Sequence, residues 1–370
     1  MIYSLGCDVA KEEHVVCLIR YNLQQQTWEI LSRKSFKNTP SGSKALARWV
    51  KRLTDKQPAP VRCTMEATGV YYEQLALELY EHHQHIKLSV ILPSQGKSYL
   101  SSRGLRNKTD KIDAFGLALM GAERNLESWK GIDKYWRTLR GLTRTKTSLQ
   151  QQKTEVSNQL HAQLHSGIPV KAVQRSLERL IKTLQKEIDR LGEQIEEHLA
   201  SRPELQHQIE CVDSIPGIGM GTIAVILAET LGFTYFTSYS QLMSFSGYDV
   251  IANDSGKRIG KRKISKQGSP FIRHAMYMPA NTVIRTKPKQ IYEMYERLVG
   301  KHNIKMKAHV AIQKKLLGYM YTLWTKKQMY DPAHIARRRA GIESAGNKSA
   351  EKRVAPPKSR ATVDTCYALA

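Results

Sequence analysis

An α/β domain with a mixed sheet flanked by helices, then a helical coiled-coil hairpin, then a mainly α-helical C-terminal domain is the architecture this sequence predicts. Three observations predict it. Short apolar runs alternate with helically spaced segments through the first 125 residues. A heptad seam runs through Leu177, Ile181, Leu184, Ile188, Leu191 and Ile195. A Gly-punctuated turn near residue 216 then opens a series of apolar helices.

In chain order, Ile2 to Asp8 suits a strand, His14 to Tyr21 a second and Thr27 to Phe36 a third. Thr39-Pro40-Ser41-Gly42 marks a break, and Ser43 to Leu53 has helical spacing. Val61 to Glu66 reads as the fourth strand, Val70 to His82 as a helix, and Leu88 to Leu92 as the fifth strand, stopped by Pro93. Asp110 to Glu123 closes the segment as a helix. The order is βββαβαβα, three hairpin-connected strands followed by crossovers, which implies a mixed sheet. From Tyr135 to Leu164 one helix is expected, and the seam from Leu177 marks its antiparallel partner or a surface for another subunit. The expected division is 1–125, 126–208, 209–330 and a basic tail at 331–370. The tail is rich in Ala, Lys, Arg and Ser and is expected to be mostly disordered.

The 370 residues carry 58 Lys and Arg against 33 Asp and Glu, a net charge of +25. Such a surplus points to a polyanion, most simply nucleic acid. It is uneven: residues 211–330 hold 18 basic and 6 acidic side chains, net +12. Five scattered cysteines with no CxxC pair speak against a zinc site or a disulfide framework. With no apolar run near ~18 residues and no signal-type start, the chain is expected to be cytoplasmic, with no membrane partner.

Asp8 and Glu66 end the first and fourth strands, and Asp110 and Asp113 share a face at the start of the closing helix. If strands one and four are neighbours, the carboxylates converge on one edge. Converging carboxylates repel unless a cation neutralises them, and Mg²⁺ or another divalent cation accepts such sparse oxygen ligation. Each acid taken singly also suits a turn or helix cap.

Gly6-Cys7-Asp8-Val9-Ala10-Lys11, Met65-Glu66-Ala67-Thr68-Gly69-Val70-Tyr71 and Lys108-Thr109-Asp110-Lys111-Ile112-Asp113-Ala114 resemble the three acidic motifs of the Piv/MooV-type DEDD insertion-sequence transposases. Cys7 stands where an aliphatic residue is usual. The resemblance implies a RuvC-like (RNase H-fold) first domain whose Asp8, Glu66, Asp110 and Asp113 are catalytic and bind metal. It also implies a site-specific recombinase of an insertion sequence, acting as a homodimer or homotetramer on donor and target DNA. Related enzymes choose sites through a structured guide RNA encoded by the element.

Residues 253–268 hold six Lys or Arg. On residues alone this is a basic loop that clamps phosphates, with Ser255 an ordinary turn residue. The resemblance assigns more: a Ser-Gly pair, here Ser255-Gly256, supplies the nucleophile that forms a phosphoserine intermediate. A Lys-x-Gly-x-x-x-Ile-Arg element follows at Lys266 to Arg273. Ser265 and Ser269 are alternative nucleophiles in the same loop. Lys257, Arg258, Lys261, Arg262, Lys263, Lys266 and Arg273 are the expected nucleic-acid contacts. Gly217 and Gly219, in Ile215-Pro216-Gly217-Ile218-Gly219, look like a helix-hairpin-helix turn whose amides approach a phosphate; a tight turn without a ligand is the plainer reading. Tyr235, Phe236, Tyr239, Phe245 and Tyr248 suit either core packing or base stacking. Two rival functions are a metal-dependent RuvC-like nuclease or Holliday-junction resolvase using water, and a non-catalytic nucleic-acid-binding scaffold.

Overall fold

A computed structural model of the chain describes residues 1–54, 59–104, 109–131, 133–251, 260 and 262–333. They fall into two compact units, Met1–Ile132 and Asp133–Ala370.

The first unit is built on five strands, β1 (Ile2–Val9), β2 (Glu13–Asn22), β3 (Thr27–Lys37), β4 (Val61–Glu66) and β5 (Ile86–Ile91), in the order β3-β2-β1-β4-β5. β1 and β2 pair antiparallel, as do β2 and β3; β1–β4 and β4–β5 are parallel. The alternation of side chains splits the sheet into two faces. Leu5, Cys7, Val9, Val16, Leu18, Cys63 and Met65 pack against α1 (Pro40–Thr54) and α2 (Glu73–His82). Cys17, Ile19 and Tyr21 pack on the other face with Ala114, Leu117 and Ala118 of α4 (Asp110–Glu123). Cys7, the departure from the family pattern, is a buried thiol 3.7 Å from the Cys63 sulfur, so it serves as a small core residue.

A helix not foreseen in the sequence, α3 (Pro93–Ser102), lies between β5 and α4. Pro93 stops the strand as expected, but it also sits at the first helical position, where its missing N–H costs nothing. Glycine brings α4 onto the sheet: a Cβ on Gly6 would lie 2.0 Å from the Ala114 carbonyl oxygen and 2.3 Å from the Ala118 nitrogen. Both obstacles are backbone, so the helix itself would have to move. Gly6→Ala is therefore expected to cost about 3 kcal/mol or more, read as a lowered urea midpoint with an unchanged slope.

His14 is fully buried on the α1 face, and neither ring nitrogen has a hydrogen-bond partner in the protein. Burial pulls its pKa from 6.5 to about 4, an effect the nearby Asn38 side chain only partly offsets. The unfolded chain binds the proton more readily, so stability is full above about pH 6.5 and declines as pH falls towards 4. The shift corresponds to at most about 3 kcal/mol. His14→Leu should flatten that limb of the unfolding free energy measured between those two pH values.

The second unit opens with α5 (Lys134–Leu164) and α6 (Lys171–Ala200), which run antiparallel. His198 bonds the Tyr135 carbonyl at one end (2.9 Å), Lys153 meets Gln185 in the middle, and Gln174 reaches the Gln163 carbonyl near the other. Every member of the Leu177–Ile195 seam is buried or half-buried. α7 (Gln206–Asp213), α8 (Met220–Thr230) and α9 (Tyr239–Phe245) follow. A two-stranded ladder, β6 (Val250–Ile251) with β7 (Lys263–Ile264), precedes α10 (Pro270–Ala275), α11 (Tyr277–Thr286), α12 (Lys289–His302) and α13 (Lys305–Lys326). Ile223, Ile226 and Leu227 of α8 and Ile312, Leu316 and Met320 of α13 are all fully buried in this unit. α9 and the ladder are too short to leave a periodic signal. Among the described residues no helix is long and apolar enough to cross a membrane.

Candidate active site

Strand register decides which acids can meet. Cys7 and Met65 are partners across the parallel β1–β4 pair, so Asp8 and Glu66 are the next residues on adjacent strands, which run about 4.8 Å apart. Both belong to the α4 face. On β1 that face is Ser4, whose hydroxyl donates to the Ala118 carbonyl (2.6 Å), then Gly6 against Ala114, then Asp8. Two strand residues advance about 6.6 Å and four helical residues about 6 Å, so the helix contact steps back four residues for every two on β1. At the level of Asp8, α4 presents its first turn, with Asp110 and Asp113. On β4 the same face carries Arg62, whose guanidinium caps the far end of α4 through the Gly121 and Ala122 carbonyls (3.1 and 3.2 Å), and then Glu66.

Asp8, Glu66 and Asp113 are half-buried and Asp110 is exposed. Thr109 caps α4 by accepting from the Ile112 amide (3.3 Å), which leaves the cap role to a threonine rather than to either aspartate. The α3 helix covers Glu66 so closely that a Cβ on Gly96 would lie 2.0 Å from its Oε1. Gly96 thus leaves the space the carboxylate occupies, and sequence reasoning missed it with the helix that carries it.

The donor set suits a hard divalent cation: oxygen only, from two adjacent strand ends and one helix start. It does not form a protein cage. Among the described residues, no group of three or more His, Cys, Asp or Glu side chains could hold a metal ion by itself. The residues fit the sparse ligation in which water and phosphate complete the shell.

In the second unit, Ser255, Lys257, Arg258 and Lys261 lie outside the described residues. The frame around them is clear. Val250 pairs with Ile264 and Ile251 with Lys263, so these residues belong to the segment joining β6 to β7. Arg262, Lys263 and Lys266 are exposed. Gly268 has φ +146°, and a Cβ there would lie 2.1 Å from the Phe245 carbonyl oxygen, so only glycine fits. Ser269 caps α10 by accepting from the Ile272 amide (3.4 Å), and its hydroxyl donates to Glu229 Oε2 (2.9 Å). The buried Glu229 carboxylate is held bidentately by Arg144 (2.7 and 3.1 Å), whose guanidinium lies 4.5 Å from the centre of the Phe271 ring. Arg273 Nη1 donates to the Ser246, Gly268 and Ser269 carbonyls (2.9, 3.3 and 3.2 Å).

In this chain the Lys266–Arg273 element is therefore a clamp on the C-terminal side of the serine segment. Arg273, expected to touch phosphate, holds backbone through Nη1. Ser269 is engaged as cap and donor, and Ser265 donates to Asp249 while accepting from the Gln267 amide (3.2 Å). Glu229 escaped the sequence reading, although a lone acid directly after the apolar run Ala224 to Ala228 is a visible signal.

Gly217 (φ +84°) turns the chain between α7 and α8 and packs against Pro279 and Val283. Ile215 and Ile218 bury the turn, while Gly219, the residue before α8, is exposed. A Cβ on Gly219 would meet nothing within 4 Å, whereas Gly217 has a structural task.

Two family models match this chain. One, described as "Transposase" of the DEDD type, covers residues 5–169, and the other, "Transposase IS116/IS110/IS902 family", covers residues 209–296. The "Pilin gene-inverting protein" of Moraxella bovis is 28% identical over 328 residues, 88% of this chain and 97% of that protein. The protein of the same name from Moraxella lacunata matches to the same extent. A crystal structure of Fowlpox virus resolvase with Holliday junction DNA is 14% identical and covers 33% of this chain and 97% of its own, at a TM-score of 0.22. Acids at one sheet edge, a basic helical unit and these matches define the class, a DNA transposase that cuts and rejoins strands. The chain belongs to the IS110 family of transposases.

Proposed function

We propose that this chain is a site-specific recombinase that mobilises an insertion sequence through a phosphoserine intermediate at Ser255. The observation that carries the reading is the shared register of Asp8 and Glu66 on the α4 face, the arrangement a RuvC-like domain needs. Asp8 and Glu66, with Asp113 beside them and Asp110 at the rim, would hold a divalent cation whose shell water and phosphate complete. Such a cation would polarise a phosphodiester and stabilise its attacking and leaving oxygens. The Ser255 oxygen loses its proton and bonds to phosphorus. The phosphorus–sugar oxygen bond breaks, and the released sugar hydroxyl takes up a proton. Rejoining reverses these steps with a hydroxyl from another strand. Exposed Arg262, Lys263 and Lys266 hold phosphates beside the serine segment.

A guide RNA is proposed on the family resemblance and on a basic surface sufficient for a second nucleic acid. Self-association is supported by exposed Leu164, Ile168 and Val170 around the α5–α6 connection. The test is to quench a reaction of the protein with Mg²⁺, host-derived RNA and DNA of its element ends in denaturant, and to isolate protein-linked DNA. Phosphoserine on acid hydrolysis supports the reading, and cleaved DNA with no protein attached sinks it.

A further inference from the structure

A cavity of about 780 Å³ in the second unit belongs to none of the groups assigned above. It is formed by α9, α12, α13 and residues 328–331, and its size falls within the range of small-ligand sites. Three tyrosines line it, Tyr239, Tyr319 and Tyr330, with Lys315 and Lys326. Gly318 of α13 makes room for the first: a Cβ there would lie 2.5 Å from Tyr239 Cε2. Tyr239 is nonetheless 42% exposed, so its ring is open to a partner.

Two residues of the lining each carry a buried polar atom with no hydrogen-bond partner in the protein, Gln290 Oε1 and the Tyr319 hydroxyl. Unmatched buried polar groups are rare and costly, and an explanation is due for each. The pair is complementary: the amide oxygen needs an N–H, and the hydroxyl has a proton to give. Burial, with a smaller push from Tyr330, raises the Tyr319 hydroxyl to about 12, so it remains a donor at neutral pH.

We propose that this cavity is a binding site for an unstacked nucleobase of a single-stranded nucleic acid, stacked on Tyr239, read at its edge by Gln290 and Tyr319, and held by its phosphate at Lys326. Base edges carry N–H donors and ring or carbonyl acceptors side by side, which matches the two unmatched atoms. Aromatic walls with a cationic rim are the usual means of holding a single strand, because every base has a stackable face. The net +12 of residues 211–330 supplies the field that brings a strand there. An apolar metabolite would leave both polar atoms unmatched, and a duplex keeps its bases stacked and out of reach.

The inference rests on the nucleic-acid reading above but not on its chemistry, so the test measures binding alone and does not depend on Ser255 or the carboxylates. The full-length chain is titrated with short fluorescent strands that carry their bases or have abasic sites, as DNA and as RNA, and with a duplex. Stacking of one base predicts about 5- to 100-fold tighter binding of the base-bearing strand. Tyr239→Ala should remove that difference, Tyr239→Phe should retain it, and duplex affinity should hold in both. Gln290→Met, close in length but without the amide, should weaken the base-bearing strand without affecting the abasic one. The arm that shows base dependence, DNA or RNA, names the strand that enters. Equal binding of base-bearing and abasic strands in both arms overturns the inference, as does an equal loss on duplex in Tyr239→Ala.

Discussion

Ser255→Ala is expected to lower the proposed covalent protein–DNA species by ~10³-fold or more, while DNA binding stays within about twofold. A missing nucleophile is not replaced by its neighbours, because Ser265 and Ser269 are engaged with Asp249 and Glu229. Binding survives because phosphate contact comes from the Lys and Arg side chains, which alanine at position 255 leaves in place. The measurement is a denaturing gel of radiolabelled DNA for the adduct, beside a filter-binding titration at fixed salt. An adduct that persists would move the nucleophile to another residue. Strand cleavage that persists at full rate without an adduct would turn the enzyme into a metal-dependent nuclease using water.

Asp8→Asn is expected to lower Mg²⁺-dependent strand cleavage by about 10³-fold, the equivalent of several kcal/mol of lost charge stabilisation. Asn keeps the shape of the side chain on β1, so the sheet and its Val15 pairing remain. Folding stability is expected to hold or to rise, since one member of a set of like charges is gone. Fluoride or urea quench assays across a Mg²⁺ titration check the first statement, and unfolding curves without metal check the second. Wild-type cleavage by Asp8→Asn at saturating Mg²⁺ would remove the carboxylate edge from the mechanism. A drop in cleavage matched by a drop in stability would make Asp8 a structural residue instead.

These two residues differ in how they can be found. Asp8 is legible from the strand it ends, and the structure adds its neighbours on the same face. Ser255 was assigned through the Ser-Gly resemblance and lies outside the described residues, so its frame carries the argument. That frame changed the meaning of several expected contacts. Arg273, an expected phosphate contact, has one guanidinium nitrogen on three carbonyls, to which the Gly247 and Gly268 turns bring their backbones. Tyr248 is buried and bonds Gln313 (2.7 Å), whereas Tyr239, from the same aromatic group, opens on a cavity. No pattern in the sequence separates those two tyrosines, since packing against α13 decides each.

What the sequence determined by itself is local and periodic. Strand alternation, the heptad seam of α6, the acids at strand and helix ends and the concentration of charge in residues 211–330 all follow from spacing a chain keeps wherever it folds. Tertiary structure alone decided which distant segments share a surface. Asp8 and Glu66 stand 58 positions apart in the chain and become neighbours only through the parallel pairing of β1 with β4. Glu229 becomes a clamp only when Arg144 and Ser269 reach it from other helices. The same holds for Gly96 over Glu66 and for the tyrosine-lined cavity. The reason is physical: periodicity records the burial of one face, whereas hydrogen bonds, close approaches and cavities record what that face is buried against.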